Sequence, residues 1–254
     1  MEFYKYQGTG NDFVMIDNRA LDFPKNQELI EKLCHRRFGI GADGLILLEN
    51  DEQYDFKMVY YNADGNESSM CGNGGRCLVA FAFFLDIFEE KCTFNAVDGI
   101  HEAEINNGII KLKMIDVESI SNNGEDFVLN TGSPHYVQYI EDLEKLNVFA
   151  KGQEIRNSEN YFQEGINVNF VEQISDNQIF VRTFERGVED ETYSCGTGVT
   201  ASALTFLEKN NLLSVDIKTL GGNLKVYAEK DGHSFKNIWL EGPAKQVFKG
   251  KIEI

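Results

Sequence analysis

Basic residues are scarce in this chain: 24 Lys and Arg stand against 41 Asp and Glu, a net charge of -17. Such a surface repels phosphate backbones and anionic headgroups, which sets nucleic acid and membrane surfaces aside as partners. Long apolar runs are also missing. The longest, Cys77 to Leu85, is too short to span a bilayer, and the start "MEFYKYQGTG" has no basic segment leading into an apolar core, so the expectation is a cytoplasmic protein. Proline occurs three times and no Ser/Gly tract is present, which leaves no flexible linker and predicts that any two domains pack closely. Cysteine is sparse and odd in number. Cys34, Cys71, Cys77, Cys92 and Cys195 are scattered through 254 residues, a chain too large to need disulfide staples, which implies a reducing compartment. What is plentiful is core material: 42% of the residues are hydrophobic and 12% aromatic, enough for one large domain or two ordinary ones.

The chain repeats a pattern. "FKMVYY", the polar loop "NADGNESSM", Cys71 with its glycines and the apolar run "LVAFAFFL" are matched later by "IFVRTF", the loop "ERGVEDETYS", Cys195 with its glycines and "VTASALTFL". Hairpin-like segments follow each: "HEAEINNGIIKLKM" and "IKTLGGNLKVYAEK". The two cysteines lie about half the chain apart, as a duplicated domain requires. Helices are predicted over 26 to 38, over 140 to 148 and after each cysteine, with most of the remainder as short strands. The reading is two mixed α/β halves, 1 to 115 plus 245 to 254, and 116 to 244. The run "CLVAFAFFL" is apolar all round, which predicts a helix enclosed by sheet.

"GIGADG" (39 to 44) matches the dinucleotide fingerprint in letters, but a helix precedes it and an extended run follows, the reverse of what pyrophosphate binding needs. It reads as a helix-to-strand turn. Cys71 and Cys77 do not have zinc-knuckle spacing and no second Cys or His pair lies nearby. Cys34, Cys77 and Cys92 read as small core residues.

Cys71 and Cys195 differ by position, because each precedes a glycine-rich entry into a helix. Unpaired backbone N–H groups and the positive end of the helix dipole favour a thiolate there, and the same N–H groups hold a carboxylate. Glycines at 72, 74, 75, 196 and 198 allow close backbone approach; the bland alternative is tight helix packing. A lone nucleophilic cysteine has no need of a duplicate. Two thiols facing one carbon act as base and acid, one removing a proton from one face while the other delivers a proton to the opposite face, which inverts a stereocentre.

"GTGNDFVMID", "NADG" followed by "MCGNGGRC", "SPHYV", and "ERG" followed by "ETYSCGTG" together resemble the diaminopimelate epimerase family in order and spacing over essentially the whole chain. The resemblance implies a two-base epimerase, free of pyridoxal phosphate, metal or other cofactor, that interconverts L,L- and meso-diaminopimelate in lysine and cell-wall synthesis. It implies two pseudo-symmetric halves, each a curled, mostly antiparallel sheet around a central helix, with the active site between them, and a homodimer. It further implies that Cys71 and Cys195 are the acid–base pair, that His135 and Glu185 assist them, and that Asn11, Asn62, Gly72, Asn73, Asn167, Glu185, Arg186, Gly196 and Thr197 contact the amino-acid substrate. On its own, His135 reads as an ordinary hydrogen-bonded histidine. The chain departs from the common family pattern in three places: Gly44 stands where Gln is usual, Ser133 where Asn is usual, and the loop from Glu185 to Cys195 is one residue longer. Gly44 and Ser133 motivate a second reading, a racemase of another amino acid such as histidine. A third is a non-catalytic module that grips a carboxylate between two helix starts.

Overall fold

The computed structural model describes residues 1 to 253; Ile254, the last residue of the expected N-terminal half, lies outside the described residues. The chain forms two compact units, Met1–Leu112 with the segment from Gly242 onward, and Lys113–Glu241.

In the first unit β1 (Glu2–Gly8), β2 (Asn11–Asp17), α1 (Gln27–Cys34), β3 (Gly44–Glu49), β4 (Phe56–Asn62), α2 (Gly72–Phe84), β5 (Lys91–Ala96), β6 (Gly99–Asn106) and β7 (Ile109–Lys113) follow in order. β1 to β7 pair in sequence, parallel between β2 and β3 and between β4 and β5, antiparallel elsewhere. The second unit has β8 (Ser121–Asn123), β9 (Asp126–Asn130), β10 (Pro134–Tyr139), α3 (Val148–Arg156), β11 (Asn167–Ser175), β12 (Gln178–Glu185), β13 (Asp190–Thr192), α4 (Gly196–Asn210), β14 (Ser214–Thr219), β15 (Gly222–Asp231) and β16 (Ser234–Pro243). Its parallel pairs are β10 with β11 and β12 with β14, at the same places in the order. The last strand, β17 (Lys245–Lys251), returns to pair antiparallel with β1. The fold is thus mixed α/β, dominated by sheet, in two halves of matching topology.

The pleat explains how each half encloses its helix. All six residues of β3 are buried, because α1 and α2 both pack on it. Leu45 and Leu47 join Ile30 and Leu33 of α1 in one cluster, whereas Ile46, on the opposite face, approaches Gly74 of α2. In the second unit Val168 and Phe170 of β11 cluster with Val148 of α3, and Asn169 between them approaches Gly198 of α4. α2 is buried from Gly72 to Val79 and again at Phe81 and Ala82, while Phe83 and Phe84 in its last turn emerge from the sheet. Asn107 and Gly108 both take positive φ between β6 and β7, the requirement of a two-residue hairpin turn. No helix is long and apolar enough to cross a membrane among the described residues.

Two predicted helices need correction. The helix expected over 26 to 38 ends at Cys34: His35 is extended, and its Nδ1 accepts the backbone N–H groups of Arg37 and Phe38, which turns the chain away. The helix expected over 140 to 148 is absent. Asp142 takes a left-handed conformation, Leu143–Lys145 form a single 3-10 turn, and the Asn147 side chain accepts the Ala150 N–H, so that α3 begins at Val148, where the prediction ended it. The "GIGADG" segment turns from α1 into β3, with the N–H groups of Ile40 and Gly41 donating to the Leu33 carbonyl.

Candidate active site

Position, more than burial, separates the five cysteines, since Cys195 is buried as well and only Cys71 is half-exposed. Cys34, Cys77 and Cys92 are buried, and burial pushes all three thiols up, those of Cys34 and Cys92 to about 12, so they are neutral and inert at physiological pH. Cys71 and Cys195 instead occupy the N-cap positions of α2 and α4 in extended backbone, and neither first turn carries an acidic residue to repel an anion.

At the start of α2, the Gly74 N–H donates to Cys71 Sγ at 3.1 Å, a contact that strengthens when the sulfur is a thiolate. On its other side the thiol donates to Asn11 Oδ1 at 3.9 Å, a contact that favours the protonated form. Asn11 is oriented from behind: its Nδ2 donates to Asp43 Oδ2 at 2.6 Å, which leaves Oδ1 toward Cys71 and toward Asn73 Nδ2, 3.4 Å away. Asp43 is itself held by Arg36, which also pairs with Asp12, and Asp12 pairs with buried Lys5 at 2.7 Å. Asn11, Cys71, Gly72 and Asn73 are therefore assembled in one place. Asn62, at the end of β4, stands opposite Gly44 in the ladder. A Cβ on Gly44 would meet the Tyr60 ring and the Tyr61 carbonyl, each at 2.6 Å, so the space a larger side chain needs is filled by Tyr60.

At the start of α4, Cys195 makes no capping bond of the Cys71 kind; its Sγ lies 3.4 Å from Thr197 Oγ1. Thr131 Oγ1 donates to the Thr197 carbonyl at 2.9 Å and ties β9's end to the helix start. His135 is wholly buried. Burial, and secondarily the charge of Arg186, lower its pKa to about 3, so the ring is neutral. Its tautomer follows from its neighbour: Asn169 Nδ2 donates to the Tyr136 carbonyl at 3.0 Å, and a carbonyl only accepts, so the same amide nitrogen donates to His135 Nδ1 at 3.1 Å and the ring proton sits on Nε2. That Nε2 has no partner among the described residues. Gly198 is required here, since a Cβ would lie 2.2 Å from Asn169 Oδ1.

A second cluster joins Ser133, Asn167 and Arg186. Asn167 Nδ2 donates to Ser133 Oγ at 2.9 Å, Asn167 Oδ1 accepts the Arg186 N–H at 2.9 Å, and Arg186 Nη2 reaches Ser133 Oγ at 3.4 Å. Ser133 therefore positions both groups. Glu185 accepts the Thr192 hydroxyl at 3.0 Å. Asp43, Asn169 and Thr131 were not anticipated as site residues. Asp43 lies in "GIGADG", which reads only as a turn, and Asn169 carries no motif of its own; only the side chains they orient could have pointed to either. Among the described residues no group of three or more His, Cys, Asp or Glu side chains could hold a metal ion.

The sequence model of the diaminopimelate epimerase family matches residues 3 to 117 and 127 to 247. The chain belongs to the diaminopimelate epimerase family. It is 57% identical to the diaminopimelate epimerase of Flavobacterium psychrophilum, over 99% of this chain and 100% of that protein. It is 38% identical to that of Aquifex aeolicus, over 99% and 98% respectively. The chain is accordingly an isomerase acting on diaminopimelate, and the reading of another amino acid as substrate and that of a non-catalytic module both give way. Solved structures at lower identity share the fold: a PhzF-family phenazine biosynthesis protein from Bacillus anthracis (TM-score 0.76, 17% identical, covering 100% of this chain and 99% of that one) and a hydroxyproline epimerase from Agrobacterium vitis (TM-score 0.69, 14% identical, covering 98% and 91%).

Proposed function

We propose that this family member epimerises diaminopimelate by proton transfer between Cys71 and Cys195, with no cofactor taking part. One cysteine, as thiolate, takes the α-proton; the electron pair left on the α-carbon delocalises into the carboxylate; the other, as thiol, gives its proton to the opposite face. The protein ends with the thiol and thiolate exchanged, so proton and charge balance. The observation that carries this reading is the repeated N-cap cysteine at a glycine-rich, acid-free helix start in each unit. Backbone N–H groups of Gly72, Asn73, Gly196 and Thr197 are suited to the carboxylate where negative charge accumulates. Arg186, already oriented by Asn167 and Ser133, is suited to clamp a carboxylate in the two-pronged manner of guanidinium groups. His135, neutral with its proton on Nε2, and Glu185 assist the thiols, and Asn11, Asn62 and Asn167 bind substrate.

The chemistry needs both thiols reduced, which suits a cytoplasmic setting. A homodimer is the assembly we expect; strand β17, paired with β1, carries exposed Val247 and Phe248, an apolar pair a second copy could cover. Light scattering on the purified chain at micromolar concentration decides the assembly. The reaction itself is tested by incubating the protein with L,L-diaminopimelate in D2O under reducing conditions. Solvent deuterium at the α-carbon and formation of the meso isomer are expected; absence of both overturns the proposal.

A further inference from the structure

Among the described residues Arg76 heads the largest side chains that are completely buried, and it lies on α2, the helix that Cys71 caps. Its Nη1 donates to the Gly72 carbonyl at 3.1 Å, and Nη2 donates to Asn73 Oδ1 at 2.9 Å and to Thr9 Oγ1 at 3.2 Å. All these acceptors are neutral. Nε has no partner, and no carboxylate pairs with the guanidinium among the described residues. Burial draws its pKa down to about 10, which still leaves it charged at neutral pH. A buried cation without a counter-ion is costly, so its retention calls for an anion in some state of the protein.

The two residues it binds on α2, Gly72 and Asn73, directly follow Cys71, and the thiols closest to it along the helix are Cys71 and Cys77. Cys77 is wholly buried and its thiol is pushed far up, so it stays neutral. Cys71 remains. Charges on the elements packed against α2 have partners of their own: Asp12 pairs with Lys5 and Arg36, Asp17 with Arg19, Glu49 with Lys25 and Glu104 with Lys91, while Glu2 accepts the Tyr4 hydroxyl. Beside them Asp43 pairs with Arg36, and Asp98 accepts the Met70 N–H and lies 3.3 Å from His101. Tyr4 and Tyr6 on β1 are raised, the first chiefly by its hydrogen bond to Glu2 and the second by burial, and stay neutral. Lys249 on β17 lies over the Tyr4 ring. The second half offers an internal control. Counted from the cysteine, Thr200 holds the place of Arg76, and its hydroxyl donates to the Gly196 carbonyl at 2.9 Å, the counterpart of the Gly72 carbonyl.

We propose that Arg76 is a positioning residue that holds Cys71 toward the thiolate in the resting protein, so that Cys71 is the thiol ready to act as base and Cys195 the one ready to act as acid. The proposal rests on the two-cysteine reading and adds an order to the pair. It is tested by the pH dependence of alkylation by iodoacetamide, read separately for the Cys71 and Cys195 peptides by mass spectrometry. In the wild-type protein the Cys71 midpoint lies below that of Cys195; equal or reversed midpoints overturn the proposal without recourse to any variant. In Arg76→Met the Cys71 midpoint rises by about one pH unit, a tenfold loss of alkylation rate below it, while that of Cys195 stays in place, and Arg76→Lys restores the wild-type value. A Cys71 midpoint unmoved in folded Arg76→Met, or both midpoints moved equally, refutes it. Turnover should follow the thiol: the pH profile of kcat in Arg76→Met shifts to higher pH with KM little changed. Because alkylation needs no turnover, a Cys71→Ala protein that remained active would sink the two-base reading while leaving the thiol order measured.

Discussion

The starts of α2 and α4 share one frame and differ in what fills it. In both, a cysteine holds the N-cap position and a glycine, Gly74 or Gly198, meets the third residue of a strand flanked by helices on both faces, Ile46 of β3 or Asn169 of β11. In the first unit that glycine touches Ile46 and Phe13, an apolar pair, and the charge lies on the helix, at Arg76. In the second unit the sheet side is polar, since Asn169 approaches the glycine and binds His135, while the helix side is the neutral Thr200. His135 and Phe13 even occupy corresponding ladder positions, paired with Asn167 and Gly44 at the starts of β11 and β3. The two halves thus share the geometry that presents a thiol and differ in its electrostatics. For proton transfer through two thiols this is useful: at any moment one must be charged and the other protonated.

The comparison breaks most sharply if one cysteine proves dispensable. Cys71→Ala and Cys195→Ala should each lower epimerisation by on the order of 10²–10⁴-fold, measured by chiral chromatography of the two isomers. If either variant keeps wild-type turnover, the halves are not a pair. Next in size is the glycine contact. Gly198→Ala places a methyl 2.2 Å from Asn169 Oδ1, whereas Gly74→Ala meets Cys71 Sγ and Ile46 Cδ1 at 3.2 Å. The first should cost about 1–3 kcal/mol of stability and the second less, as read by urea denaturation; the opposite ranking would remove the packing difference drawn between the halves. Smaller still is the role of Ser133. Ser133→Ala removes the hydroxyl shared by Asn167 and Arg186, and should raise KM several-fold, about 1 kcal/mol for a lost hydrogen bond, with kcat less affected. A kcat loss at unchanged KM would mean that the cluster does not serve substrate binding.

The parts of this molecule that were legible in the sequence are those written twice. The paired Cys-Gly helix starts, the matched loops and the hairpins repeat, and a repeat sets two observations against one explanation. The asymmetry was far less legible. Arg76 sits in "GGRCLVAF" and gives no sign that it will be buried without a carboxylate, because that depends on Thr9 and Asn73 closing around it. Asn169 lies in a strand, "NVNFV", where alternation shows only that one face is apolar. The misplaced third helix has a local cause: "IEDLEKLNV" has helical spacing, but Asp142 and the Asn147 cap divide it into a turn and the first residue of α3. Gly44 and Ser133, read from sequence as departures from the family pattern, turn out to be accommodated, one by Tyr60 and the other by Arg186 and Asn167.

Acid separates the halves as well. His135 has its pKa lowered by burial to about 3 from an ordinary 6.5, so the unfolded chain binds a proton that the folded chain refuses between those values. Stability must then fall as pH drops below 6.5, by about 1.4 kcal/mol per pH unit at most, and level off near pH 3. Asp12 behaves differently. Burial pushes its carboxyl up, but hydrogen bonds from Arg36 and Lys5 outweigh this and hold it at about 2 against an ordinary 3.8. Its contribution is intact above 3.8 and is lost only as pH falls from there toward 2. The second unit should therefore weaken first on acidification. His135→Asn, which keeps an acceptor for Asn169, should flatten the unfolding midpoint between pH 6.5 and 4 while leaving the steeper loss below 3.8 in place. Asp12→Asn should do the reverse, at some cost in stability at neutral pH because Lys5 loses its partner. Chemical denaturation across this pH range checks both, and a His135→Asn protein that keeps the wild-type slope above pH 4 would place the source of acid sensitivity outside the His135–Asn169 pair.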